Sequence, residues 1–376
     1  MLEVICWVSL FGAIYSYFLY PLVLLVMPKK RLQTEPDKPL PFVTLIITAH
    51  NEQKRIQSKL ENTLAIDYPE ELREILVASD GSTDATNTIV ESFHDRGIKL
   101  VHVQERKGKE NAQLAAIQAA RGELIVFSDV ATQIPPEALR NLVNVFTDPR
   151  VGAISSEDRF ITEDGKVAGE GAYVKYEMWL RKLESQVHSL VGLSGSFFAA
   201  RKDVCENWDI SVPSDFNTAL NCVTKGYIAV SAPDVLGYYP NLKDDSKEYQ
   251  RKLRTVIRGM AAVVKKPVVL NPFGLGFFAL EVFSHKIMRW LVPWFMLALL
   301  ISSLLVFQHH VFYMLLLAGQ IGFYLVAALG YILPSLRNNT LFKLPFFFFQ
   351  VNFAIADAGL RFLMGKRITM WEPSKR

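Results

Sequence analysis

Residues Leu76-Val77-Ala78-Ser79-Asp80-Gly81-Ser82-Thr83-Asp84 form an apolar run that stops abruptly in two acids, a glycine and small hydroxyls. Such a run reads as a buried strand opening into a tight polar loop. The pattern recurs three times. Residues 43–48 run into His50-Asn51-Glu52, residues 100–103 into Arg106-Lys107-Gly108-Lys109, and residues 124–127 into Ser128-Asp129. Segments 53–63, 84–93 and 109–120, which lie between these runs, have helical character. Strands alternating with helices imply a parallel, doubly wound sheet, and such sheets bind ligands outside the carboxyl ends of their strands. Every strong polar cluster falls at that edge, so one site shared by four loops is expected.

The residue types narrow what the site holds. Asp80 and Asp129 offer hard carboxylate oxygens, Lys107 and Lys109 offer cations, and Gly81 and Gly108 let backbone approach a ligand closely. Together they suit a nucleoside diphosphate, with or without a divalent ion. No G-x-G-x-x-G follows the first strand and no Walker P-loop is present, which disfavours ordinary dinucleotide and P-loop chemistry. Each piece also has a plainer reading. Asp80 and Asp84 suit a helix N-cap, and Lys107 and Lys109 suit a solvated turn. Four such loops on one edge outweigh those readings.

The ordered set resembles a membrane-bound family 2 glycosyltransferase. The residues that carry the resemblance are Val43 through Glu52, Ser79-Asp80-Gly81-Ser82-Thr83-Asp84, Lys107-Gly108-Lys109 and Phe127-Ser128-Asp129-Val130-Ala131. Further on, Ser194-Gly195-Ser196 is similar to the family's acceptor loop and Pro213-Ser214-Asp215-Phe216 to its base motif. Gln250-Arg251-Lys252-Leu253-Arg254 is similar to its Gln-x-x-Arg-Trp segment. The match spans about residues 41 to 260. It implies an α/β, glycosyltransferase A-type nucleotide-binding domain with transmembrane and interfacial helices, and an inverting transfer from a nucleotide sugar, UDP-linked by default. In that reading Asp80 grips the nucleoside, and Glu52, Lys107 and Lys109 border the donor. Asp129 lies at the diphosphate or its metal, Gly195 and Ser196 face the acceptor, and Asp215 is the base. Arg251 and Arg254 are candidates to stabilise the departing diphosphate, because guanidinium forks match phosphate oxygens.

Three positions depart from the family pattern. Ala131 stands where Asp-x-Asp carries its second acid, so Mg²⁺ or Mn²⁺ is expected at Asp129 only with help from phosphate oxygens. Ser214-Asp215 replaces an acid pair, which leaves one carboxylate, enough for a base. Thr255 follows Arg254 where processive synthases place Trp, which argues against polymerisation. On the residues alone, Asp215 also reads as a cap leading into a helix, and Arg251, Lys252, Arg254 and Arg258 as a basic face against anionic lipid.

Of the 376 residues, 50% are hydrophobic and 21% charged, and the formal net charge is +4. The basic excess is accounted for by clusters flanking apolar segments, so it gives nucleic acid binding no support. Segment 1–28 contains a long uncharged run followed at once by Lys29-Lys30-Arg31, an anchor with its carboxyl side in the cytoplasm. No A-x-A-like site follows, which argues against a cleaved signal peptide. Residues 29–41, with Pro36, Pro39 and Pro41, are expected to be a linker, and 42–267 a cytoplasmic catalytic domain. Residues 268–289 mix apolar side chains with Glu281, His285, Lys286 and Arg289 and suit an amphipathic interface helix. Segment 290–333 reads as a transmembrane hairpin turning at Gln308-His309-His310. Segment 344–365 reads either as a spanning helix or as a re-entrant one, with Asp357 and Arg361 spaced to pair. Cys6, Cys205 and Cys222 lack metal spacing. A multi-pass protein of the cell membrane, meeting membrane lipids, a lipid-linked or glycan acceptor and other glycan assembly proteins, is therefore expected.

Overall fold

The computed structural model describes residues 1–35, 38–161, 172–240 and 245–368. The chain divides into two compact units. One is built from Met1–Val26, Asp244–Met260 and Leu280–Arg367, the other chiefly from Met27–Lys243 and Ala261–Ala279.

In the second unit seven strands form one sheet among the described residues: β1 (Val43–Ala49), β2 (Arg73–Asp80), β3 (Ile98–Val103), β4 (Leu124–Asp129), β5 (Val151–Ile161), β6 (Phe197–Arg201) and β7 (Ile228–Pro240). Their order is β3-β2-β1-β4-β6-β5-β7. The four strands expected from the sequence are parallel to one another, β1 lying between β2 and β4. The sheet as a whole is mixed, because β6 is antiparallel to both β4 and β5. Chain direction reverses its winding at β1, between β2 on one side and β4 on the other, which is the switch point where such sheets bind ligands.

Side-chain alternation builds a core on each face of the sheet. Leu45, Ile47, Ile75, Val77 and Val126 pack with Ile56 and Leu60 of helix Ile56–Leu64 and with Leu139 and Leu142 of helix Ala138–Val145. Ile46, Leu76, Ile125 and Phe127 point the other way, onto Ala112 and Ala116 of helix Lys109–Ala119 and Ala219 of helix Ser214–Thr224. A strand buried on both faces must be apolar at every position, which is why β1, β2 and β4 read as unbroken runs. Each large aliphatic side chain so buried contributes about 1.5–3 kcal/mol. Phe127 also stacks on Phe198 and Trp208, with ring centroids 4.6 and 5.1 Å apart.

The other unit is helical. Among the described residues four helices are long and apolar enough to cross a bilayer: Leu2–Val26, Phe277–Val306, Val311–Ile332 and Thr340–Leu363. The helix that the sequence divides at Trp290 is continuous from Phe277 to Val306, with a π turn at Phe283–Ile287. Its polar residues account for the difference. Glu281, Ser284, His285 and Arg289 are buried rather than spread along a wetted face. The Arg289 guanidinium sits 4.9 Å from the Tyr17 ring centroid, and Ser284 Oγ is 2.9 Å from the Tyr15 hydroxyl. The stripe therefore packs against the first helix, itself interrupted by a π turn at Tyr15–Leu19. Arg361 donates to Asp357 at 2.6 Å as their spacing predicts, and the Tyr249 hydroxyl donates to the same carboxylate at 2.9 Å.

Candidate active site

The loops after β1 and β2 are laced to each other. Asn51 is the only non-glycine residue with positive φ among those described, and asparagine tolerates that conformation better than most. The turn aims its Oδ1 at the Thr83 backbone N–H, 2.8 Å away, while its own N–H donates to Ser82 Oγ at 3.1 Å. Glu52 is turned inward, where its carboxylate receives Arg55 at 2.6 and 2.8 Å. Its backbone N–H donates to Thr86 Oγ1 at 2.7 Å.

Asp80 holds the loop after β3. The Lys107 and Gly108 N–H groups donate to Asp80 Oδ1 at 2.9 and 3.1 Å, and Gly108 also reaches Oδ2 at 2.9 Å. Its side chain is only 3% exposed, so these amides are what the carboxylate chiefly meets. Gly81 is required beside it: at φ +59°, a Cβ there would lie 2.8 Å from the Arg106 nitrogen. The Lys107 ammonium points outward and pairs with Glu105 at 3.1 Å.

Lys109 links the loop after β3 to the end of β4 and the turn before β6. Its ammonium donates to Asp129 Oδ1 at 2.6 Å and to the Gly195 carbonyl oxygen at 2.8 Å. The Asp129 N–H donates to the Ser196 carbonyl at 2.9 Å, which fixes the end of β4 to the turn leading into β6. Gly195 in turn lies against Asp215, whose Oδ2 would be 3.1 Å from a Cβ at position 195. Asp215 stands in the first turn of helix Ser214–Thr224, where the helix's positive end favours a carboxylate. Asp80, Lys107, Lys109, Asp129, Gly195, Ser196 and Asp215 are thus brought together by direct contacts. Arg251 and Arg254 lie on helix Asp245–Lys265 in the helical unit, and the Thr255 hydroxyl donates to the Arg251 carbonyl at 2.9 Å.

Two charged residues of this region escaped the sequence reading. Asp158, on β5, accepts from Ser194 Oγ at 2.6 and 2.8 Å and from Ser196 Oγ at 3.1 Å. Burial pushes its pKa up, opposed by the Ser194 hydroxyl, the Arg181 charge and the Ser156 and Ser196 hydroxyls. It ties both serines of the acceptor-type loop to the sheet. The signal was present, since Val151 to Ile154 end in Ser155-Ser156-Glu157-Asp158 as the other strands end in polar groups. Lys59 is the second. It occupies an inward position of helix Ile56–Leu64, and a lysine in the apolar stripe between Ile56 and Leu60 was its mark.

Chemically the arrangement sets the Lys109 ammonium beside a carboxylate on a helix N-terminus. It does not offer a metal-binding set of its own. Lys109 occupies Asp129 Oδ1, position 131 is alanine, and no group of three His, Cys, Asp or Glu side chains able to hold an ion occurs among the described residues.

Residues 44–208 match the family model for glycosyl transferase family 2. That segment is a family 2 glycosyltransferase domain. A poly-beta-1,6-N-acetyl-D-glucosamine synthase of Staphylococcus aureus (strain COL) is 25% identical over 228 residues, covering 57% of this chain and 53% of that protein. A beta-monoglucosyldiacylglycerol synthase of Nostoc sp. (strain PCC 7120) is 24% identical over 225 residues, covering 57% of this chain and 48% of that protein. The chain spans about half the length of these relatives. Among solved structures, a mannosyltransferase from Pyrobaculum calidifontis, in complex with GDP-Man and Mn²⁺, superposes with a TM-score of 0.73 at 22% identity, covering 98% of this chain and all of that one. That likeness establishes the glycosyltransferase A-type fold.

Proposed function

We propose that this chain is an inverting glycosyltransferase that moves a sugar from a nucleoside diphosphate donor to a membrane-associated acceptor, lipid-linked or a glycan. The observation that carries this reading is the path Asp129–Lys109–Gly195–Asp215, in which an ammonium and a carboxylate meet at one glycine. The Asp215 carboxylate takes the proton of the acceptor hydroxyl while that oxygen bonds to the anomeric carbon. The bond to the nucleoside diphosphate breaks, and its electrons leave with the phosphate. Lys109 takes up the developing charge. The four apolar helices and the glycolipid synthase among the relatives support an acceptor delivered at the membrane, with the catalytic unit on the cytoplasmic side where donors are made.

Asp215→Asn tests it. The amide keeps the shape but cannot take the proton, so transfer falls by roughly a hundredfold or more, while donor protection against thermal unfolding stays near the parent's. Undiminished transfer by the folded variant removes Asp215 from the base role. Processive synthesis is the second reading, favoured by the polymer synthase among the relatives. A non-catalytic partner of glycan assembly is the third, and a donor-hydrolysis assay on the purified chain separates it from both.

A further inference from the structure

The turn that follows β4 rests on a buried lysine. Lys59 is 0% exposed, and its ammonium donates to Ser128 Oγ at 2.8 Å and to the Thr132 carbonyl oxygen at 2.6 Å. These acceptors bracket Asp129 and Ala131 along the chain. Both are neutral, so the ammonium has left water without a carboxylate bonded to it. Burial pushes its pKa down to about 7, with the Asp129 charge pulling it back up. An ionised side chain at this depth is costly to keep unless neighbouring charge favours it.

The charges around the turn suggest what the lysine is for. Where a second acid would make a site for a divalent ion, position 131 is alanine. The turn instead has one carboxylate, Asp129, with Lys109 bonded to it and Lys59 bonded to Ser128 beside it. With Lys59 ionised, two ammonium groups against one carboxylate repel a divalent cation and attract a doubly charged anion, and such an anion in turn favours the ionised lysine. In a water-poor interior that field reaches a ligand the lysine does not touch.

We infer that Lys59 is a positioning residue for the donor diphosphate, its buried charge acting with Lys109 in place of a protein-held divalent ion, so that nucleoside diphosphate binding at this turn needs no metal. This rests on the donor-site reading above.

The test titrates the purified full-length chain with UDP and with GDP, in EDTA and in Mg²⁺, comparing the parent with Lys59→Gln, Lys59→Met and Lys59→Arg. Glutamine keeps an N–H donor for the turn without the charge, methionine is an apolar replacement of similar length, and arginine keeps the charge. The parent is expected to bind one nucleotide with nearly the same affinity in EDTA and in Mg²⁺. Lys59→Gln and Lys59→Met lose about tenfold or more in EDTA and recover most of it in Mg²⁺, while Lys59→Arg retains metal-free binding. A merely structural lysine produces equal losses in both media, and that result overturns the inference. So does unchanged affinity in the neutral variants, or a parent that binds only with Mg²⁺. The parent comparison stands even if a variant does not fold. A parent that binds neither nucleotide in either medium overturns the donor-site reading itself, and the inference with it.

Discussion

The carboxylate of Asp215 lies against the α-carbon of Gly195, so closely that a methyl group there would come within 3.1 Å of Oδ2. The glycine also presents its carbonyl to Lys109, which bonds Asp129. Its missing side chain therefore lets the proposed base close on the same residue that Lys109 holds.

Gly195→Ala should accordingly slow transfer without abolishing donor binding. The added methyl must displace the carboxylate by a few tenths of an ångström or tilt the loop. Misplacement of a reacting group costs up to about a hundredfold per ångström, so a loss of roughly tenfold is expected. Steady-state kinetics with donor and acceptor varied separately check it. A turnover equal to the parent's means that the base does not sit at Asp215.

Asp80→Ala acts on the donor side by a different route. Three N–H···O bonds from Lys107 and Gly108 are lost, and two amides in a partly buried loop are left without their acceptor. An unmet buried donor costs about 1–3 kcal/mol, so the variant should melt at a lower temperature and bind nucleotide more weakly. Titration calorimetry with the nucleoside diphosphate measures the second effect. Equal affinity in parent and variant rejects any part for Asp80 in holding the donor loop.

Acid should loosen the segment that precedes the sheet. The Arg150 guanidinium holds the Asp148 carboxyl well below the usual carboxylate range, helped by N–H donors from Gln33 and Arg150. Because the folded value lies below the unfolded one, the stability is fully present above the ordinary aspartate pKa and is lost as pH falls through and below it. Asp148→Asn should lower the melting temperature at pH 7, and the gap from the parent should close as the pH is brought below about 4. A gap independent of pH would show that the carboxylate's charge is not what anchors Gln33.

How much of this was legible in the sequence depends on how local each signal is. β1, β2 and β4 announce themselves, because a strand covered on both faces must be apolar throughout, and each ends in the polar residues that reach the site. β6 does not. Its five residues, Phe197 to Arg201, run antiparallel between β4 and β5, a pairing that no local pattern encodes. The partnership of Asp158 with Ser194 and Ser196 spans 36 and 38 positions and depends on that same strand. Lys59 looks like one more surface lysine unless its place on the helix is counted. Glu281, His285 and Arg289 suit an amphipathic interface helix on sequence alone, because one segment does not reveal which helix will cover it.

Product length is the remaining prediction, and Thr255 carries it. Processive enzymes of this family place an aromatic ring after the arginine of their Gln-x-x-Arg segment, where it offers an apolar surface to a sugar. Here the exposed side chain at that position is a threonine whose hydroxyl is turned back onto the Arg251 carbonyl of its own helix. A growing chain end that finds no ring to rest on should dissociate after one addition or very few. With excess donor and a lipid-linked acceptor, mass spectrometry should find acceptors extended by one or two sugars while unreacted acceptor is consumed. If long polymers accumulate beside untouched acceptor, the chain holds its product by another surface, and the processive reading takes the place of single transfer.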